Sequence, residues 1–238
     1  MSKSALVTGG TRGIGAGIAV AMRDAGYDVA VNYNSDDAVA AAFSAETGIA
    51  AFKWDVSDFA GAEAGYKAYV EKRGPVEVLV NNAGTAWDAR FENMTEEQWH
   101  RVLRVNLDSV FVMSRLVYPD MVEKKWGRII NIGSMNGQAG QLNQVNYVAA
   151  KAGMHGFTKA LAQESAKHGI TVNTVAPGYV DTYLMREMPE RIMNKILDAS
   201  PVRRLGQEDE VAHAVLFLAD EKAAWSTGST VTLNGGTH

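Results

Sequence analysis

Short β-branched runs bounded by Gly or Asn alternate along this chain with longer stretches whose apolar residues recur at helical spacing. The runs predict strands at 4–8, 29–33, 50–55, 76–81, 128–132, 171–176 and 230–233. The stretches between them predict helices at about 13–25, 36–47, 58–73, 95–122, 146–166 and 208–219. Strands that are apolar throughout, rather than alternating, need cover on both faces. The alternation therefore predicts an α/β fold, a mostly parallel sheet with helices on both sides. No repeat, low-complexity tract or linker divides the chain, so 1–238 reads as a single domain. Two segments break the rhythm. The 95–122 stretch is long for one helix and carries a polar Asn106 among apolar residues. The 179–200 stretch is irregular and Met-rich, which makes it a candidate substrate lid.

Composition narrows the class. The chain has 238 residues, 47% of them hydrophobic and 21% charged, which is enough to bury a substantial core. A net charge of −4 argues against a general nucleic-acid surface. With no cysteine there is neither a disulfide nor a thiolate nucleophile, and no metal-ligating cluster stands out. No apolar run approaches the roughly 20 residues of a membrane span, and the N-terminus lacks the apolar core of a signal peptide. The expectation is a soluble, cytoplasmic protein with no membrane or nucleic-acid partner.

Chemistry concentrates at strand ends. Ser134 follows the 128–132 strand, and Tyr147 and Lys151 stand at i and i+4 on the next helix. A free tyrosine titrates near ~10, too high for acid–base work at neutral pH; an ammonium one turn away would lower it. A serine hydroxyl could share the substrate oxygen, so the trio suits proton transfer to or from a carbonyl or alcohol. After the first strand, Thr8-Gly9-Gly10-Thr11-Arg12-Gly13-Ile14-Gly15 opens a helix. Glycines permit close backbone approach there, and the helix N-terminus attracts a pyrophosphate. The second strand ends in Asn34 and Ser35 without a carboxylate for an NAD ribose, and Arg12 could pair with a 2′-phosphate; NADPH is favoured over NADH. Asp55 and Val56 could meet the adenine. The amides of the Asn81-Asn82-Ala83-Gly84 turn are expected to brace adjoining strands.

Thr8-Gly9-x-x-x-Gly13-x-Gly15, Asn81-Asn82-Ala83-Gly84, Asn106, Ser134, Tyr147-x-x-x-Lys151 and Pro177-Gly178 together resemble the short-chain dehydrogenase/reductase family over essentially the whole chain. The resemblance implies a single-domain Rossmann-type fold with a seven-stranded sheet, usually a homotetramer. It also implies Tyr147 as general acid in reduction, Ser134 positioning the carbonyl and Lys151 holding the nicotinamide ribose. Asn106 would anchor a water in the proton relay. Cofactor contacts would come from Gly9, Thr11, Arg12, Gly13, Ile14, Gly15, Asn34, Ser35, Asp55, Val56, Asn82, Ala83, Gly84, Pro177 and Gly178, with Tyr147 and Lys151. The amide-rich loop from Asn136 to Asn146 looks like that of the bacterial acetoacetyl-CoA reductases, which feed polyhydroxyalkanoate synthesis. By that likeness Asp88, Gln141, Gln144 and Tyr179 would contact the acyl thioester, and the product would be the (R)-3-hydroxyacyl-CoA. Leu142 departs from an aromatic found in such relatives, and Asp37 sits where a basic residue would suit NADP. The alternatives are a 3-oxoacyl-[acyl-carrier-protein] reductase, a reductase of a sugar or other small alcohol, and an NADP-binding sensor or scaffold without turnover.

Overall fold

A computed structural model describes residues 2–237, without the side chain of Leu184. It holds seven strands in one sheet: β1 (Ser4–Thr8), β2 (Asp28–Tyr33), β3 (Ala50–Lys53), β4 (Val78–Asn81), β5 (Gly127–Ile132), β6 (Ile170–Pro177) and β7 (Thr230–Leu233). Their order is β3-β2-β1-β4-β5-β6-β7, and every adjacent pair is parallel. Parallel strands send all their carboxyl ends to one edge. Where the order reverses, between β1 and β4, the outgoing loops part and leave a crevice, as in Rossmann-type folds.

The helices are α1 (Gly13–Asp24), α2 (Asp37–Thr47), α3 (Phe59–Arg73), α4 (Glu96–Leu103), α5 (Ser109–Lys124), α6 (Asn136–Ala139), α7 (Val145–Ser165), α8 (Tyr183–Arg186), α9 (Glu190–Ala199) and α10 (Glu208–Ala219). Side chains alternate across the pleat and build two cores. Ala5 and Val7 of β1 face Ile18 and Met22 of α1 and Val215 and Leu218 of α10. Leu6 between them faces the other way, toward Tyr69 of α3 and Met113 and Val117 of α5.

Three expectations need correction. The 95–122 stretch is not one helix: α4 and α5 are joined by a π-helical turn, Arg104–Asp108, with Asn106 at its centre. The extra residue turns Asn106 inward, where it is wholly buried. The 179–200 segment is not irregular either, since it contains α8 and α9. α8 spans a single turn, too short to show a period, whereas Ile192, Met193, Ile196 and Leu197 do recur at helical spacing along α9. Finally, β3 stops at Lys53, which leaves Asp55 in the turn beyond it.

Candidate active site

The glycine turn is shaped by close approach. A Cβ on Gly10 would lie 2.5 Å from Val31 Cγ1, and one on Gly15 would lie 2.4 Å from Asn82 Nδ2 and 2.5 Å from the Gly9 carbonyl. Only a residue without a side chain lets α1 start so close to the sheet. Asn82 earns its place by bracing: its Nδ2 donates to the carbonyls of Thr8 (3.0 Å) and Gly9 (3.1 Å). The Thr8 hydroxyl oxygen accepts from the N–H groups of Asn82 and Ala83, both at 3.0 Å. Gly84 lies against Asn106, whose Oδ1 a Cβ there would meet at 2.8 Å. At the start of α1, Arg12 gives no side-chain cap and the first turn holds no acid, so Gly13, Ile14 and Gly15 lead with uncapped N–H groups. Thr11 is buried beside them, and Ile14 packs onto the first core. These features fit a dinucleotide pyrophosphate.

The 2′-side of such a ligand would meet Asn34 and Ser35, both exposed after β2. Arg12 is half exposed and only loosely paired, 4.0 Å from Asp36. The charge of Asp37 is offset by Lys53 at 2.9 Å, and its other oxygen accepts from the Tyr33 hydroxyl at 3.0 Å. Asp55 accepts from the Ser57 N–H and hydroxyl, at 2.8 and 2.7 Å. The Val56 side chain is buried in the second core.

The proton-transfer trio gathers at the β5 end. Ser134 is nearly buried, and its Oγ accepts from the Asn136 N–H at 3.1 Å, so its own proton stays free to donate. Lys151 is buried and its Nζ donates to the Ile132 carbonyl at 2.8 Å. Burial, with no carboxylate partner, pulls its ammonium down to about 8. Nζ stands 5.6 Å from the centre of the partly exposed Tyr147 ring. Against expectation, the Tyr147 phenol is raised, not lowered: desolvation outweighs the Ser134 hydrogen bond that favours the phenolate, and Asp88 adds to the rise. At neutral pH it therefore keeps its proton. Asn106 donates from Nδ2 to the carbonyls of Thr85 (2.7 Å) and Val102 (2.9 Å) and accepts at Oδ1 from the Thr85 N–H (3.3 Å). Its side chain pins the loop after β4 to the π turn.

Other predicted residues divide. Gln144 Nε2 donates to both oxygens of Asp88, at 3.1 and 2.9 Å, while its Oε1 accepts from Asn136 Nδ2 at 3.0 Å. Through Asn136 this amide chain runs from Ser134 to the rim. Gln141 is exposed on the same loop. Tyr179 lies elsewhere, lining a cavity of about 160 Å³ with Ile196 of α9 and Val211 of α10. Pro177 and Gly178 do reach the trio: the Met135 N–H donates to the Pro177 carbonyl at 2.9 Å, and a Gly178 Cβ would meet Met135 Sδ at 3.1 Å.

Three positioning residues escaped the sequence reading. Asn136 carries no signal beyond its loop. Asn146 is wholly buried; it donates to the carbonyls of Trp87 (3.1 Å) and Gln98 (3.2 Å) and accepts from the Tyr147 N–H (2.8 Å), fixing the start of α7. His155 continues the i, i+4 row of Tyr147 and Lys151, a spacing that could have revealed it; its Nδ1 lies 3.2 Å from Thr230 Oγ1. Beneath them a buried network holds α7 to the sheet: Asn81 donates to Asn131 (2.9 Å), Asn131 to Thr158 (2.9 Å), and Thr158 pairs with Thr174 (2.8 Å).

Among the described residues no helix is long and apolar enough to cross a membrane, and no cluster of three or more His, Asp or Glu could hold a metal ion. A family model described as "Enoyl-(Acyl carrier protein) reductase" matches residues 9–238. An acetoacetyl-CoA reductase of Shinella zoogloeoides is 52% identical over 99% of this chain and 98% of its own. One from Paracoccus denitrificans is 51% identical over the same shares. The 3-oxoacyl-[acyl-carrier-protein] reductase MabA of Mycobacterium bovis is 41% identical over 99% of this chain and 93% of its own.

Proposed function

The chain belongs to the short-chain dehydrogenase/reductase family, and we propose that within it this protein reduces acetoacetyl-CoA, with NADPH, to the (R)-3-hydroxyacyl-CoA. The observation that carries the reading is the chain Ser134–Asn136–Gln144–Asp88, which joins the proton-transfer centre to an amide-rich, hydrogen-bonding rim that ends on one carboxylate. Neutral donors and acceptors suit a thioester and a 3-oxo group, neither of which carries charge. The two full-length relatives named for this activity at 52% and 51% identity support it, and both are more similar than the carrier-protein reductase at 41%. The product is a precursor suited to polyhydroxyalkanoate synthesis.

In the proposed mechanism the glycine turn, Asn34, Ser35, Asp55, Val56, Asn82, Ala83, Gly84, Pro177 and Gly178 hold the dinucleotide, and Lys151 holds its nicotinamide ribose. When bound, that cofactor supplies the hydride for the carbonyl carbon. Ser134 donates a hydrogen bond to the carbonyl oxygen. Tyr147, kept protonated by burial, gives that oxygen its proton as negative charge grows there. The Lys151 ammonium then offsets the phenolate that remains. Asn106 keeps the π turn open for the water that returns the proton. Gln141, Gln144 and Asp88 line the path of the thioester.

Support for NADPH comes from the loosely held Arg12 and from the pairing of Asp37 with Lys53. Segment 179–200 is proposed to close over substrate, since Met188 and Ile192 are 40% and 45% exposed without it. A homotetramer is proposed because Phe111 on α5 and Trp225 before β7 stand 52% and 99% exposed; sedimentation measures it. The test of function is oxidation of NADPH with acetoacetyl-CoA and acetoacetyl-acyl-carrier protein side by side. A specificity constant higher for the CoA ester is expected. A clear preference for the carrier protein would reassign the substrate.

A further inference from the structure

Beside the glycine turn lies an open cavity of about 450 Å³, lined by Arg12 and Gly13, Val39 of α2, Tyr183 and Arg186 of α8, and Glu208 of α10. It has two walls. One is the fixed turn at the head of α1; the other is the 179–200 segment, whose Thr182 Cγ2 would stand 3.9 Å from a Cβ on Gly13. Each wall carries an arginine held by a carboxylate of its own side: Arg12 by Asp36 at 4.0 Å, and Arg186 by Asp181. The Arg186 clamp uses Nε to Asp181 Oδ1 (2.8 Å) and Nη2 to Oδ2 (3.3 Å), leaving Nη1 without a partner in that fork. Neither arginine is buried, so both guanidinium groups can re-aim at small cost.

We propose that Arg186 is a second reader of the cofactor's 2′-phosphate, exchanging Asp181 for the phosphate and thereby tying the 179–200 segment to the bound dinucleotide. The inference rests on the NADPH reading above and adds to it a residue from the opposite wall. A phosphate dianion offers several acceptor oxygens, so it can take a planar guanidinium from each side, which a single arginine cannot exploit. Glu208 also lines the cavity, and Asp36 stands 4.0 Å from Arg12; without Arg186 a phosphate there would meet two nearby acids and one base. Asp181 and Arg186 are five residues apart on one segment, so their pair can open without unfolding anything. A ligand carrying the 2′-phosphate would then draw the segment down onto the glycine turn, whereas NADH would leave Arg186 with Asp181.

Calorimetric titration with 2′,5′-ADP and with 5′-AMP separates this from other roles, because the two probes differ only in that phosphate. Arg186→Gln is expected to weaken 2′,5′-ADP about tenfold, the worth of a charge-assisted hydrogen bond, and to leave 5′-AMP unchanged. Arg186→Lys is expected to fall between, keeping charge but losing the fork. Asp181→Asn is expected to tighten 2′,5′-ADP, since it releases Arg186. If Asp181→Asn instead weakens it as Arg186→Gln does, the pair merely shapes the segment and the inference is overturned. A wild-type preference for 2′,5′-ADP that Arg186→Gln leaves undiminished overturns the inference alone. A wild type that does not prefer 2′,5′-ADP over 5′-AMP overturns the NADPH reading and this inference with it.

Discussion

Lys151→Met should make the protein inactive and, at neutral pH, more stable. Lys151 is 3% exposed, and its ammonium has no carboxylate beside it, only the Ile132 carbonyl at 2.8 Å. Its drop from 10.5 to about 8 comes from desolvation. At about 1.4 kcal/mol per pH unit, keeping the group charged in the fold costs about 3 kcal/mol. Methionine removes that cost but orphans the Ile132 carbonyl, worth about 1–2 kcal/mol against it. The variant should therefore gain about 1–2 kcal/mol at pH 7. The sign changes with pH. Between about 8 and 10.5 the unfolded lysine still binds a proton that the folded one has released, so wild-type stability rises through that window relative to the variant. Above it the lysine is neutral in both states, its hydrogen bond is intact, and the variant should be the less stable by about 1 kcal/mol. Urea unfolding of both proteins from pH 7 to 10.5, at one protomer concentration, measures the difference; groups shared by the two cancel. A difference flat across that window, or a variant several kcal/mol weaker at pH 7, would refute the reasoning.

Tyr147→Phe should lower kcat about 10²–10⁴-fold while dinucleotide affinity stays within about twofold, since the phenol is the proposed proton donor and no other described hydrogen bond depends on it; near-wild-type turnover would dismiss Tyr147 as the acid. Arg12→Ala should weaken NADPH far more than NADH, about tenfold against little change, in a fluorescence titration; equal losses would show that Arg12 does not read the phosphate. Gly10→Ala should cost about 1–3 kcal/mol of stability by thermal melting, because the new methyl would overlap Val31 Cγ1 at 2.5 Å and the Val7 carbonyl at 2.9 Å; an unchanged melting temperature would mean that β2 shifts freely.

Much of the architecture follows from local pattern. Fully apolar runs such as Ile129-Ile130 and Val78-Leu79-Val80 must be covered on both faces, which commits them to a parallel sheet, and the glycine turn commits α1 to starting beside it. Spacing along one helix likewise places Tyr147 over Lys151. What pattern could not show are the relations between distant segments. Asn136, Asn146 and Arg186 each matter through a partner brought close by the fold or through the cavity it faces, and no period in the chain marks them. The π turn at Asn106 is settled by its packing against Thr85, 21 residues away, not by the helix that contains it. The Tyr147 acidity shows the limit most clearly. Sequence supplied the nearby lysine, whose charge lowers a phenol's pKa, but the fold supplied the burial that raises it, and desolvation depends on every atom packed around the ring. Residue types and spacing thus determined which groups meet; the tertiary structure decided the protonation state in which they wait.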